Sequence, residues 1–116
     1  MNPKALKIVM LSYHNQNGGA GIACGRLATA LKNVGHEVTY LVQEKSGVDA
    51  AVSVNDSLLK KGIAWLRFIL ERLYFLPHEK DKSIRFLFNP GVFGQNLSQH
   101  PTLKSADIIH LHWMNF

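Results

Sequence analysis

The sequence is poor in cysteine, in acidic residues and in long apolar runs, and each shortage excludes something. A single cysteine, Cys24, among 116 residues can form neither an internal disulfide nor a cysteine-based metal cage. That scarcity fits a reducing compartment. The apolar stretch near the N-terminus, Ile8 to Leu11, is shorter than the ~7 apolar residues a secretory signal needs at minimum. No run approaches the ~20 apolar residues of a membrane-spanning helix. The expectation is a cytoplasmic protein whose only membrane option is peripheral contact on the inner face. No internal repeat or low-complexity tract interrupts the chain.

Eight Asp+Glu stand against thirteen Lys+Arg, a formal net charge of +5. That balance favours anionic partners such as nucleotides or lipid headgroups. A solvated basic surface is the plain alternative. The basic residues are scattered and fit no nucleic-acid-binding module, so no nucleic-acid partner is expected. With 47% hydrophobic and 18% charged residues, disorder is excluded as the main state. The length suits one domain and not two catalytic ones. Such a chain buries roughly 65% of its extended-state surface, enough for a real core.

Lys7 to Ser12 (KIVMLS) is a short apolar run that reads as a buried strand. A polar loop, Tyr13 to Gly19, leads into a helix in which Ile22, Leu27, Ala30, Leu31 and Val34 recur at helical spacing. Gly35 suits the stop of that helix. Glu37 to Gln43 is rich in β-branched and aromatic residues and reads as a second strand. Strand, helix and strand make a βαβ unit, and parallel strands need such a crossover.

Lys45 to Asn55 reads as loop, and Ser57 to Leu76 as a long helix ended by Pro77. At ~100° per residue, Lys60, Lys61, Arg67, Glu71 and Arg72 occupy one arc of about 140°. Leu59, Ile63, Leu66, Ile69, Leu70 and Leu73 lie opposite, while Phe68 and Phe75 intrude on the polar arc. The pattern suits a core helix packed on the sheet. Its alternative is an interfacial helix whose cations meet anionic lipid.

His78 to Ser83 reads as a charged loop, Ile84 to Phe88 as a short strand, and Asn89-Pro90-Gly91 as a turn. Pro101 to Ser105 suits one helical turn. Asp107 to Trp113 reads as another strand. Its period of two sends Ile108, His110 and His112 to one face and Ile109, Leu111 and Trp113 to the other. The whole predicts an α/β, Rossmann-like three-layer fold around a parallel sheet.

Two constellations carry chemistry. The first is the loop from Asn15 to Gly21, where Gly18, Gly19 and Gly21 lie between a strand and a helix start. Glycines allow close backbone approach, and free N–H groups at a helix start favour phosphate or sugar oxygens. A dinucleotide fingerprint does not fit, because Cys24 stands where the third glycine belongs and the first glycine is remote from the strand. No P-loop lysine with Ser/Thr follows. The second is His110-x-His112 at a strand end, where open α/β sheets place their ligands. Two imidazoles there suit a sugar hydroxyl or a proton transfer. A metal would need further ligands, and His14, His78 and His100 are scattered, so no metal is expected. Cys24, among small residues, suits packing and has no partner base for nucleophilic work.

In KIVMLS, in NGGAGIA (Asn17 to Ala23), in RLATALKNVGHEVTYLV (Arg26 to Val42) and in LSQHPTLKSADIIHLHWMNF (Leu97 to Phe116), the chain resembles the N-terminal half of family 4 retaining glycosyltransferases, which have the GT-B architecture. The last segment is similar to a branch acting in capsular, exopolysaccharide or O-antigen synthesis. The likeness covers residues 5–44 and 84–116.

The resemblance implies an acceptor-binding domain over 1–116. Gly18 and Gly19, with Asn17 and His14, would lie at the donor phosphates and acceptor. His110 and His112 would be the catalytic-site histidines. It implies a nucleotide-sugar co-substrate, a glycan or lipid-linked acceptor, and neither metal nor other cofactor. The family's donor domain, with its pair of glutamates, has no counterpart in these residues. The last strand is expected to be central in its sheet, with nothing after it to cover it. A truncated hexosyltransferase, inactive alone, is therefore expected. The alternatives are a small non-catalytic nucleotide- or phosphate-binding domain and a membrane-surface interaction domain that uses residues 57–76.

Overall fold

The computed structural model describes residues 4–15, 18–45, 51–55, 57–84 and 91–112. They form two compact units, Met1–Val54 with Leu97–Met114, and Asn55–Asn96 with Asn115–Phe116.

The first unit is built on a four-stranded, all-parallel sheet. Strands β1 (Lys7–His14), β2 (Glu37–Glu44), β3 (Val52–Ser53) and β4 (Ile108–Leu111) lie in the order β3-β2-β1-β4. An α/β chain with such a sheet is consistent with a Rossmann-like fold. Strand β3, read as loop, is a two-residue addition along β2. Strand β1 runs two residues beyond the predicted Ser12. Its central position explains this: it pairs with β2 as far as His14↔Glu44.

Helix α1 (Gly18–Asn33) crosses over between β1 and β2. It ends in a Schellman arrangement. Gly35, at φ 97°, donates to Lys32 O at 3.0 Å, and His36 N donates to Leu31 O at 3.2 Å.

The packing face of α1 differs from the predicted stripe. Ile22, Leu27 and Val34 are exposed, whereas Gly21, Cys24 and Ala28 are buried, with Leu31 partly so. The small residues let α1 sit close on Ile8, Met10, Val38, Tyr40 and Val42, and the bulkier ones are left outside. Cys24 is completely buried there, and burial raises its thiol pKa against a smaller opposing effect of the Tyr40 hydroxyl. It is a packing residue. The opposite face of the sheet, with Val9, Leu11, Leu41 and Val54, packs against Leu97, Leu103 and Ala106 around the one-turn helix α3 (Pro101–Lys104).

Among the described residues β4 lies at the edge of the sheet and not at the central position the sequence predicts, and Ile108, Ile109 and Leu111 are exposed, in line with the expectation that nothing covers it. Asp107 fixes its start against β1: the Asp107 carboxylate accepts from Lys7 N, and Asp107 N donates to Lys7 O, both at 2.8 Å.

The second unit contains α2 (Leu58–Phe75), capped by the Ser57 hydroxyl, which accepts from Lys60 N. A 3-10 turn at Leu76–His78 holds Pro77. A second covers Lys82–Ile84, and the predicted strand from Ile84 otherwise lies outside the described residues.

Leu59, Ile63, Leu66, Leu70 and Leu73 are exposed, and Ile69 is half-buried. Within this unit the covered side of α2 centres on Glu71, which is buried, with Arg67, Phe68, Arg72 and Phe75 half-buried, whereas Lys60 and Lys61 of the predicted polar arc are exposed. The reason is the Glu71 carboxylate, which accepts from Val92 N at 3.0 Å and Phe93 N at 2.7 Å. A buried charge needs such partners, so it sets which side of the helix turns inward.

Candidate functional site at the carboxyl ends of β1 and β4

Parallel pairing puts the carboxyl ends of β1 and β4 side by side. The register matches Met10 with His110 and Leu11 with Leu111, and His112 N continues the ladder by donating to Leu11 O at 2.8 Å. Met10 belongs to the sheet face that α1 covers. His110 therefore lies on the α1 side of the sheet, and His112, two residues on, shares that side. The alternation predicted for His110 and His112 is the one observed.

The two imidazoles are neighbours, with ring centroids 4.4 Å apart. His112 Nε2 is shielded from solvent and has no hydrogen-bond partner among the described residues. Burial lowers the His112 pKa, and the nearby His110 lowers it further. Neutral His112 at physiological pH can donate a hydrogen bond through one ring nitrogen and accept through the other.

Strand β1 ends at His14 and helix α1 begins at Gly18. The predicted loop is shorter than expected, and Gly18 and Gly19 are the first two residues of the helix. The three glycines divide into three jobs. Gly18 has φ 73°, a conformation that side chains resist. Gly19 has nothing within 4 Å of where a Cβ would stand, so its surface is open. Gly21 has no such room: a Cβ there would lie 2.7 Å from His14 O. Sequence reasoning groups all three as ligand-approach glycines. The burial of Cys24 and Ala28 along the same stripe is the signal that Gly21 serves packing.

Tyr40 secures this corner from beneath. Its hydroxyl donates to Gly21 O at 3.0 Å and lies 3.3 Å from His14 O. It ties the last residue of β1 to the first turn of α1. Nothing in the sequence pattern marks Tyr40 for that role beyond its β propensity.

His14 thus closes β1, half-buried, with its ring edge-on to Tyr13 at 4.5 Å. Asn17, also predicted as a binding residue, lies outside the described residues. The structure brings His110 and His112 together directly. Gly18, Gly19 and His14 meet them only as neighbours at the ends of adjacent parallel strands. Among the described residues, no three His, Cys, Asp or Glu side chains gather into a metal site.

No protein-family model, curated protein or solved structure matches this chain.

Proposed function

We propose that this chain supplies the acceptor-binding half of a family 4 retaining glycosyltransferase of GT-B architecture. In that reading a sugar moves from a nucleotide-sugar donor to a glycan or lipid-linked acceptor during cell-surface polysaccharide synthesis. The observation that carries the reading is the juxtaposition of the His110–His112 pair with the glycine-started helix α1 at adjacent parallel strand ends. Open α/β sheets bind ligands at such carboxyl edges.

The chemistry suits the parts. The backbone N–H groups of the first turn of α1 lack intrahelical acceptors and point toward the helix N-terminus, where anionic oxygens bind well. Open space at Gly19 admits such oxygens closely. Neutral His112 can hold a sugar hydroxyl in place, with His110 beside it. In a retaining transfer of this type the donor phosphate helps remove the acceptor hydroxyl proton, and protein groups stabilise the charge that develops. The nucleotide-binding domain and its acidic pair would come from polypeptide other than these 116 residues.

The test is transfer by a polypeptide that joins this segment to a donor domain. His112→Ala is expected to lower kcat/KM by about 100-fold or more, the scale of a lost proton-handling group. Unchanged kcat and KM would overturn the site assignment. Nucleotide binding without transfer would favour the non-catalytic nucleotide-binding alternative.

A further inference from the structure

The spacing of His110 and His112 is set within one strand and its ladder to β1. His110 is matched with Met10, and His112 N donates to Leu11 O at 2.8 Å. Two residues apart on extended backbone, their side chains leave the same side of the sheet. The ring centroids are 4.4 Å apart and the ring planes are inclined by 52°, so the rings are not stacked face to face. Among the described residues, neither ring has a hydrogen-bond partner. A neutral imidazole carries one nitrogen lone pair, whichever tautomer it adopts. That lone pair accepts a proton, a hydrogen bond or a metal ion. Two of them on neighbouring rings can act as a chelate.

The distance between the rings selects the ion. A ligating imidazole nitrogen stands ~2.0–2.1 Å from its metal, which puts the ring centroid about 3.2 Å from the ion. Two rings at a right angle about the ion then have centroids about 4.5 Å apart, and two at the tetrahedral angle about 5.2 Å. The observed 4.4 Å matches the right angle. Neighbouring positions at a right angle belong to the tetragonal geometry of Cu2+ and Ni2+ with nitrogen and oxygen ligands. Structural zinc prefers the wider tetrahedral angle.

We propose that His110 and His112 chelate a divalent transition-metal ion, Cu2+ most tightly, through one imidazole nitrogen each in adjacent positions. A closed cage needs four protein ligands, and among the described residues no third His, Cys, Asp or Glu joins this pair. Water fills the remaining positions, so the ion exchanges with solvent and is not a resident cofactor. Cu2+ heads the affinity order of divalent first-row metals for such ligands, above Ni2+. Mg2+ takes oxygen ligands and is not selected by imidazole. The site rests on the geometry of the strand and is independent of the glycosyltransferase reading.

Titration of the isotopically labelled 116-residue chain with CuSO4, NiCl2 and MgCl2 tests it. Substoichiometric Cu2+ should broaden the NMR signals of His110 and His112 before those of the other histidines. Electron paramagnetic resonance of the copper-loaded chain should report two coordinated imidazole nitrogens. Ni2+ should bind the same pair more weakly, and Mg2+ should leave the spectrum unchanged. His110→Gln and His112→Gln should each weaken Cu2+ binding by about 100-fold, the scale on which a second tethered contact adds to a first. His110 is exposed, so His110→Gln leaves the fold in place, and the metal-free amide spectrum of each variant checks this. Broadening that begins at another histidine, coordination by a single imidazole, or an affinity that neither variant lowers overturns the inference.

Discussion

The carbonyl oxygen of His14 stands 2.7 Å from the point where Gly21 would carry a Cβ. That contact sets how closely α1 lies over the end of β1. Gly21→Ala must push helix and strand apart, and should destabilise the chain by about 1–3 kcal/mol, the range of overpacked cores. Gly19→Ala has open space and a helical backbone, so it should be neutral or stabilise by about 0.5–1 kcal/mol. Urea titration of the two variants checks the contrast. Equal midpoints would show that the close approach does not constrain the fold.

The imidazole pair predicts a pH signature. Burial first, and the charge of His110 second, hold the His112 pKa below the ordinary histidine value, which is about 6.5. Folding therefore favours the neutral ring. Its contribution to stability is complete above the ordinary value and declines as pH falls from there to the lowered folded value. In NMR titration, the His112 midpoint should lie below the ordinary value. His110→Asn should raise it part of the way, because burial remains. A midpoint at or above the ordinary value would contradict the shielding seen at Nε2.

Glu71 predicts a local effect in the second unit. Glu71→Gln keeps the shape but replaces a charged acceptor that receives two backbone N–H groups with an amide that has one oxygen. The cost should be about 1–3 kcal/mol. Hydrogen exchange at Val92 and Phe93 should accelerate, while exchange in β1 and β2 stays unchanged. Uniform acceleration across the chain would mean that Glu71 supports more than its own segment.

Legibility from sequence follows the strength of the local signal. Strands β1 and β2 and helix α2 are readable because composition, caps and stops agree: Ser57 before α2, Pro77 after it, Gly35 after α1. Strand β3 is not, because two residues carry no period. The packing face of α1 escapes periodicity, which weighs large apolar residues, whereas close approach here selects small ones. The inward side of α2 escapes it for a related reason. Helical patterning assumes that the apolar half is buried, whereas one carboxylate with two amide partners anchors the opposite half. At the site, the spacing of His110 and His112 foretells their shared side, but no local pattern reveals Tyr40 beneath Gly21, a relationship made by tertiary packing.

The central claim is that the ends of β1 and β4 form the acceptor side of a sugar-transfer site. Transfer by a polypeptide that joins this segment to a donor domain tests it most directly, with UDP-glucose and GDP-mannose as donors and with amide and imidazole NMR of the labelled protein alongside. The account predicts transfer that His112→Ala severely lowers, with shifts at Gly18, Gly19, His110 and His112 when substrates bind. Transfer that His112→Ala leaves unchanged, or shifts confined to residues away from these strand ends, would contradict it.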